Sequence, residues 1–276
     1  MEKLSAAFSL CPNDTFLFHA WATGRVGKQI PLRPVLSDIQ NLNEWALQEK
    51  YPLIKVSMHC FGQIQNHYQL LPVGCALGHG LGPKLVSKVP FALSQMTDKV
   101  VAIPGKDTTA SLLCHLLLPD PKKTIYTTYD QIVPLIQQDK ADAGIIIHET
   151  RFTFQSLGLA ELADLGTLWE KTYNSPLPLG GIAVHRNLNS PSLQNIIKAL
   201  QESLLCAWLD PQASASYAME RSLEKDPKVV GQHISTYVTQ ETFQLSSVGI
   251  SAVDALLKLS REKGLMPLCS LPWMAA

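Results

Sequence analysis

No apolar stretch of this 276-residue sequence approaches the roughly 20 residues needed to cross a bilayer. Ala143–Ile147 stops at His148, and Leu116–Leu118 stops at Pro119; no membrane partner is expected. A surplus of charge is missing too. The 23 basic and 23 acidic side chains cancel, and no Lys/Arg cluster offers the electrostatic footprint of a nucleic-acid binder. Cysteine is sparse: six residues are widely scattered, with no C-x-x-C pair and none of the density of a disulfide-stapled domain. Reduced, mostly buried thiols in a cytoplasmic protein are expected. Repeats, low-complexity tracts and flexible linkers are also lacking, so any second lobe must be reached over short strands.

What is present is a large apolar fraction, 46%, enough for a sizeable core and better suited to two domains than one. Short β-type runs alternate with helical patterns, which predicts an α/β architecture with largely parallel sheets. Strands are expected at Leu4–Ser9, Ile30–Leu36, Leu53–Met58, Leu85–Ser87, Val100–Ile103, Thr124–Thr127, Ala143–Ile147 and Gly181–Val184. The apolar run Leu4–Leu10 has only Lys3 ahead of it and enters Pro12-Asn13-Asp14, so it reads as a first strand and not as an export signal. Ser37-Asp38 caps a helix whose face is Ile39, Leu42, Trp45, Ala46 and Glu49. Beyond about residue 190 the pattern turns mainly helical, from Ser190-Pro191 to a closing segment Ser251–Lys263.

Several segments could carry chemistry, each with a plainer reading beside it. Ser9–Phe16 (SLCPNDTF) is a strand-to-helix turn in which Asn13 or Asp14 can cap a helix over Thr15–Ala22. Ser57 ends a strand, where open α/β sheets place their ligands, but it could equally be structural. Thr108-Thr109 open a helix after Gly105, an arrangement that either holds a carboxylate or merely caps the helix. Gly78-His-Gly-Leu-Gly-Pro83 superficially resembles a dinucleotide fingerprint, yet its glycine spacing is wrong and a strand follows it. A turn beside a cleft is expected there. His148 stands at the carboxyl end of an apolar strand, where an imidazole is a natural general base near neutral pH, although most histidines do no chemistry. His59, His67 and His79 fit no metal-ligand spacing, and no metal is expected.

Taken together, SLCPNDTF, Asp38–Ala46, Lys55-Val-Ser57, Gly78–Pro83, Thr108-Thr109, Ile146–Phe152 (IIHETRF) and Leu177-Pro-Leu-Gly180 resemble, in order and spacing, the 1,4-dihydroxy-6-naphthoate synthases of the futalosine route to menaquinone. The likeness runs from residue 4 to about 265. It departs from the family pattern at Leu10, at Met58–Phe61 and at Thr239. The resemblance implies a two-lobed fold like a type-II periplasmic binding protein, with residues 1–92 and 185–276 in one lobe and 93–184 in the other. It implies a lyase that needs no cofactor and converts cyclic dehypoxanthinylfutalosine, a small-molecule aromatic carboxylate, into 1,4-dihydroxy-6-naphthoate and a dihydroxyacetone fragment. It also implies His148 as the proton acceptor, with substrate contacts at Lys55, Val56 and Ser57 on one side and at Thr108 and Thr109 on the other. The nearest alternatives are chorismate dehydratase, which shares scaffold and pathway, and a solute-binding protein for an organic anion.

Overall fold

The computed structural model describes residues 3–275 and contains two mixed sheets. The chain lays down β1 (Leu4–Ser9), β2 (Leu32–Ser37), β3 (Leu53–Ser57), β4 (Tyr68–Leu70) and β5 (Ala76–Gly78) in a first sheet. It then crosses to a second sheet built from β6 (Lys84–Ser87), β7 (Val100–Ile103), β8 (Lys123–Tyr126), β9 (Ala143–Ile146) and β10 (Ala160–Asp164). Finally β11 (Leu177–His185) returns to the first sheet, between β3 and β4 in the order β2-β1-β3-β11-β4, with β5 also paired to β11.

Two expectations are corrected here. The sheets are less parallel than predicted, because β11 runs antiparallel to β3, β4 and β5, and β6 runs antiparallel to β9 and β10. Both lobe boundaries also fall earlier than residues 92 and 185: β6 already belongs to the second sheet, and β11 already to the first. The outward crossing is the glycine-rich turn at residues 79–83, and the return spans 165–176. They run against each other: Leu165 N donates to Pro83 O at 2.9 Å and Thr167 Oγ1 to Gly80 O at 2.9 Å. Gly82 lies so close to Gly166 that a Cβ on Gly82 would stand 2.6 Å from the Gly166 nitrogen. Side chains are unaffordable at this contact, which explains the glycine at 82 better than any nucleotide would.

Apolar burial holds the two sheets together as one body. A single core cluster joins Ile54, Val56 and Leu70 of the first sheet to Leu85, Val101 and Ile145 of the second. A separate cluster lies on the other face of the first sheet, where the helix Pro12–Ala22 stacks Phe18 on Phe8 at 4.0 Å and packs against Leu193, Ile196, Leu200 and Leu204 of the helix Ser190–Leu209. The helical C-terminal third is as predicted, and it adds helices Pro211–Arg221 and Pro227–Tyr237 beside Pro12–Ala22. Residues 273–275 run along β4: Leu70 N donates to Trp273 O at 2.7 Å and Ala275 N to Leu70 O at 2.9 Å. An otherwise open strand edge is thereby covered.

Candidate active site

A cleft between the sheets brings together Lys55, Val56, Ser57, Thr108, Thr109 and His148, the six residues singled out from the sequence. Local structure explains their placement. β3 ends at Ser57, the helix Thr109–Leu117 begins where β7 has handed over to a glycine turn, and His148 lies two residues beyond β9. Each is at the carboxyl end of a strand, where α/β sheets leave room for ligands.

The helix start works differently from the reading in which both threonine hydroxyls face a carboxylate. Thr108 is the N-cap; its hydroxyl donates to Gly105 O at 2.9 Å and accepts from Ser111 N at 3.2 Å. Thr109 Oγ1 donates to Leu179 O of β11 at 2.6 Å and accepts from Met58 N at 3.0 Å, so it ties the second lobe to the first. Both hydroxyls are engaged. The first N–H groups of a helix have no acceptor within it, and with Ser111 N satisfied by the cap, those of Thr109 and Ala110 are left at the cleft wall. The anion-binding capacity of this terminus therefore rests on main chain.

Ser57 complements them. Its backbone N–H donates to Asn43 Oδ1 at 3.0 Å, and its Oγ accepts from Asn43 Nδ2 at 3.1 Å. The hydroxyl proton is thereby free to point at a ligand. Asn43, fully buried on the helix Ile39–Leu47, also donates to Asp107 O at 3.2 Å. Val56 is wholly buried, so only its main chain reaches the wall. Lys55 Nζ is committed to Asp14 Oδ1 at 2.8 Å, with both side chains almost sequestered from solvent.

That ion pair anchors a polar network the sequence reading did not assemble. The first helix begins at Pro12, with Cys11 in the N-cap position and no side-chain cap, so Asn13 and Asp14 are not caps. They turn toward the cleft. Ser9 Oγ donates to Asp14 Oδ2 at 2.6 Å, and Asn13 Nδ2 donates to Asp14 Oδ1 at 2.9 Å. Asn13 Oδ1 must then accept, so it takes the Nε2–H of His233 at 2.9 Å. His233 and Tyr237 come from the helix Pro227–Tyr237 and complete the wall. Burial, reinforced by His148, Arg151 and Lys55, pushes the His233 imidazole well below the ordinary histidine value.

His148 has φ +56°, a left-handed backbone that histidine tolerates better than most residues and that marks functional sites. Its ring meets Tyr129 edge-on at 4.7 Å. Burial lowers its pKa to about 4; Asp14 opposes this and Lys55 adds to it. The imidazole is therefore neutral at physiological pH, with a lone pair available as a base. Glu149 and Arg151 flank it, both buried. Glu149 Oε1 accepts from Ser222 Oγ at 2.9 Å, and Arg151 donates to Tyr237 Oη at 2.6 Å while pairing with Asp164 at 3.1 Å. Among the described residues, no group of three or more His, Cys, Asp or Glu side chains could hold a metal ion.

Two α/β lobes closing on a cleft of this kind define the periplasmic-binding-protein type of fold. The chain superposes with TM-score 0.72 on the alkanesulfonate-binding protein SsuA of Xanthomonas axonopodis pv. citri, over 99% of this chain and 98% of that one, at 15% identity. A crystal structure of an Archaeoglobus fulgidus protein is nearer, with TM-score 0.91 and 29% identity over 96% of this chain and 98% of that one. The sequence matches the menaquinone biosynthesis family over residues 4–262, and the chain belongs to that family. It is 37% identical over 265 residues to a 1,4-dihydroxy-6-naphthoate synthase of Thermus thermophilus, with 96% of both chains covered. It is 38% identical over 271 residues to one of Streptomyces coelicolor, covering 96% of this chain and 95% of the relative.

Proposed function

We propose that this chain is itself a 1,4-dihydroxy-6-naphthoate synthase: a cofactor-independent carbon–carbon lyase that cleaves cyclic dehypoxanthinylfutalosine to 1,4-dihydroxy-6-naphthoate and a dihydroxyacetone fragment. The observation that carries the reading is His148, an imidazole held neutral inside a cleft that it shares with the Ser57 hydroxyl and the first residues of the helix Thr109–Leu117. A pure solute-binding protein has no use for a buried base on a strained backbone.

In this reading the substrate carboxylate docks on the Ser57 hydroxyl and the Thr109 and Ala110 N–H groups, where hydrogen bonding and the helix dipole favour negative charge. The sugar-derived part then extends toward His148. The imidazole removes a hydroxyl proton; the resulting alkoxide collapses to a carbonyl, breaking the adjacent carbon–carbon bond in a retro-aldol sense. The bonding pair passes into the ring system, and the gain of aromaticity draws the reaction forward. Lobe closure excludes water while this happens. The test is direct: purified protein incubated with cyclic dehypoxanthinylfutalosine should release dihydroxynaphthoate. Failure with that compound, accompanied by turnover of chorismate, would move the assignment to the sister dehydratase.

A further inference from the structure

The helix Ile39–Leu47 buries one face, made of Ile39, Leu42, Asn43 and Ala46, and the polar member of that stripe is wholly sequestered from solvent. A buried amide costs free energy unless its oxygen and both of its N–H groups are engaged. All three are. Oδ1 accepts from Ser57 N at 3.0 Å, while Nδ2 donates to Ser57 Oγ at 3.1 Å and to Asp107 O at 3.2 Å.

The two ends of an amide are alike in outline, so their assignment rests on the partners. Here the partners allow one answer. A backbone N–H only donates and a carbonyl oxygen only accepts, so the atom facing Ser57 N is oxygen and the atom facing Asp107 O is nitrogen. The second proton of that nitrogen falls to Ser57 Oγ, which must accept it. Among the described residues, no group takes the hydroxyl's own proton. Ser57 is buried at the cleft wall, so its proton is left for whatever the cleft holds.

The same helix reaches the other lobe. Asp107 lies in the turn that opens the helix Thr109–Leu117, and Gln40, three residues ahead of Asn43, grips that turn as well: its Nε2 donates to Asp107 Oδ2 and its Oε1 accepts from Asp107 N, both at 3.3 Å. Asn43 and Gln40 thus hold the Ser57 hydroxyl in register with the Thr109 and Ala110 N–H groups. All three groups are donors. A carboxylate meets them with acceptors alone, whereas a carboxamide of the same outline turns its NH2 toward at least one of them and leaves two donors facing each other.

We propose that Asn43 is a positioning and specificity-determining residue: it holds the Ser57 hydroxyl with its proton toward the cleft, and so makes this end of the site select a carboxylate over the uncharged carboxamide of the same acid. The proposal rests on the docking of the substrate carboxylate at Ser57 and the helix start.

The experiment titrates 2-naphthoate and 2-naphthamide at neutral pH into wild type, Asn43→Asp, Asn43→Ala, Ser57→Ala and the Asn43→Asp/Ser57→Ala double variant, with urea unfolding to show that each is folded. Wild type should prefer the acid about a hundredfold. Asn43→Asp is nearly isosteric but puts an oxygen where Nδ2 stood; that oxygen draws in the hydroxyl proton, Ser57 then shows the cleft its lone pairs, and the preference should vanish. Asn43→Ala only frees the hydroxyl to turn, and should cost the preference about three- to tenfold. With Ser57→Ala already in place, the penalty of Asn43→Asp should shrink about tenfold, because the hydroxyl through which it acts is gone. A wild type that binds the acid no more tightly than the amide overturns the proposal, and so does a folded Asn43→Ala protein with the full preference. An Asn43→Asp penalty of equal size with and without the hydroxyl also overturns it, since charge or a shifted fold would then be the cause. These titrations need no turnover, so a protein that selects the acid through Asn43 but fails to convert cyclic dehypoxanthinylfutalosine would sink the functional reading and leave this one standing.

Discussion

The burial of His148 makes stability itself depend on pH in a way that one substitution isolates. In the folded protein this imidazole titrates at about 4, against an ordinary 6.5. Between those values the unfolded chain binds more protons than the native one, so the native state is favoured in full above pH 6.5 and loses ground as pH falls toward 4. Each pH unit inside the window is worth about 1.4 kcal/mol, and from pH 7.5 to pH 4.5 the loss through this residue comes to about 2.5 kcal/mol. His148→Asn has nothing to titrate there. His233 is pushed down chiefly by burial in both proteins, so that part is common to the comparison; the further lowering that His148 adds is lost in the variant. Urea unfolding at the two pH values should therefore show the wild type, relative to His148→Asn, losing about 2.5 kcal/mol on acidification. A difference that stays constant would mean that burial does not hold this ring neutral, and with it would go the argument for a base free to act at pH 7. The kinetic counterpart is kcat/KM that is flat at neutral pH and falls with an acid limb near pH 4.

His148→Ala should lower kcat by roughly 10²–10⁴-fold while calorimetry still finds substrate bound, and His148→Asn should be nearly as inactive. Ser57→Ala deletes the hydroxyl that the proposed docking directs at the carboxylate and should raise KM about tenfold with kcat little changed; an unaltered KM would move the carboxylate elsewhere. Thr109→Val strips partners from Leu179 O and Met58 N, at about 1–3 kcal/mol for each group left unpaired. It should therefore lower the urea midpoint as well as weaken binding, whereas Thr109→Ser keeps both; a stable Thr109→Val protein would show the bridge to be dispensable. Exhaustive dialysis against a chelator should leave turnover intact, and activity restored by one particular metal would refute the acid–base reading.

Much of the fold was legible because its strands are short, β-rich runs flanked by turn residues: β1 and β7 fall where the sequence puts them, and β3 and β9 to within one residue. The strands that escaped have physical reasons to. β4 and β5 have three residues each, too few to show alternation, and β10 is the charged sequence Ala-Glu-Leu-Ala-Asp. Asn43 was overlooked although a signal existed: Ile39, Leu42, Asn43 and Ala46 share the buried face of their helix, and a polar residue on an apolar stripe announces a buried hydrogen-bond role. Glu49, read as part of that face, is exposed beyond the helix end. Cys11, Asp14, His233 and Tyr237 meet only in three dimensions, from opposite ends of the chain, and no local pattern predicts such a meeting. Thr108 and Thr109 were located with two roles left open, a carboxylate site or a helix cap; Thr108 is the cap, and hydroxyls that look free in a sequence are claimed by carbonyls the sequence cannot place.

The place of β11 in the first sheet bears on how the molecule assembles. The second sheet draws all its strands from residues 84–164, one uninterrupted stretch, while the first sheet lacks a strand from its interior until residues 177–185 return to fill it. Pairings close in sequence form faster because less loop entropy must be surrendered. The second lobe should thus become protected first in pulse-labelled hydrogen exchange, with β3 and β4 waiting, unjoined, for β11 to arrive between them. The cleft around His148 is then completed only when the strand that fills the first sheet also brings Leu179 into reach of Thr109.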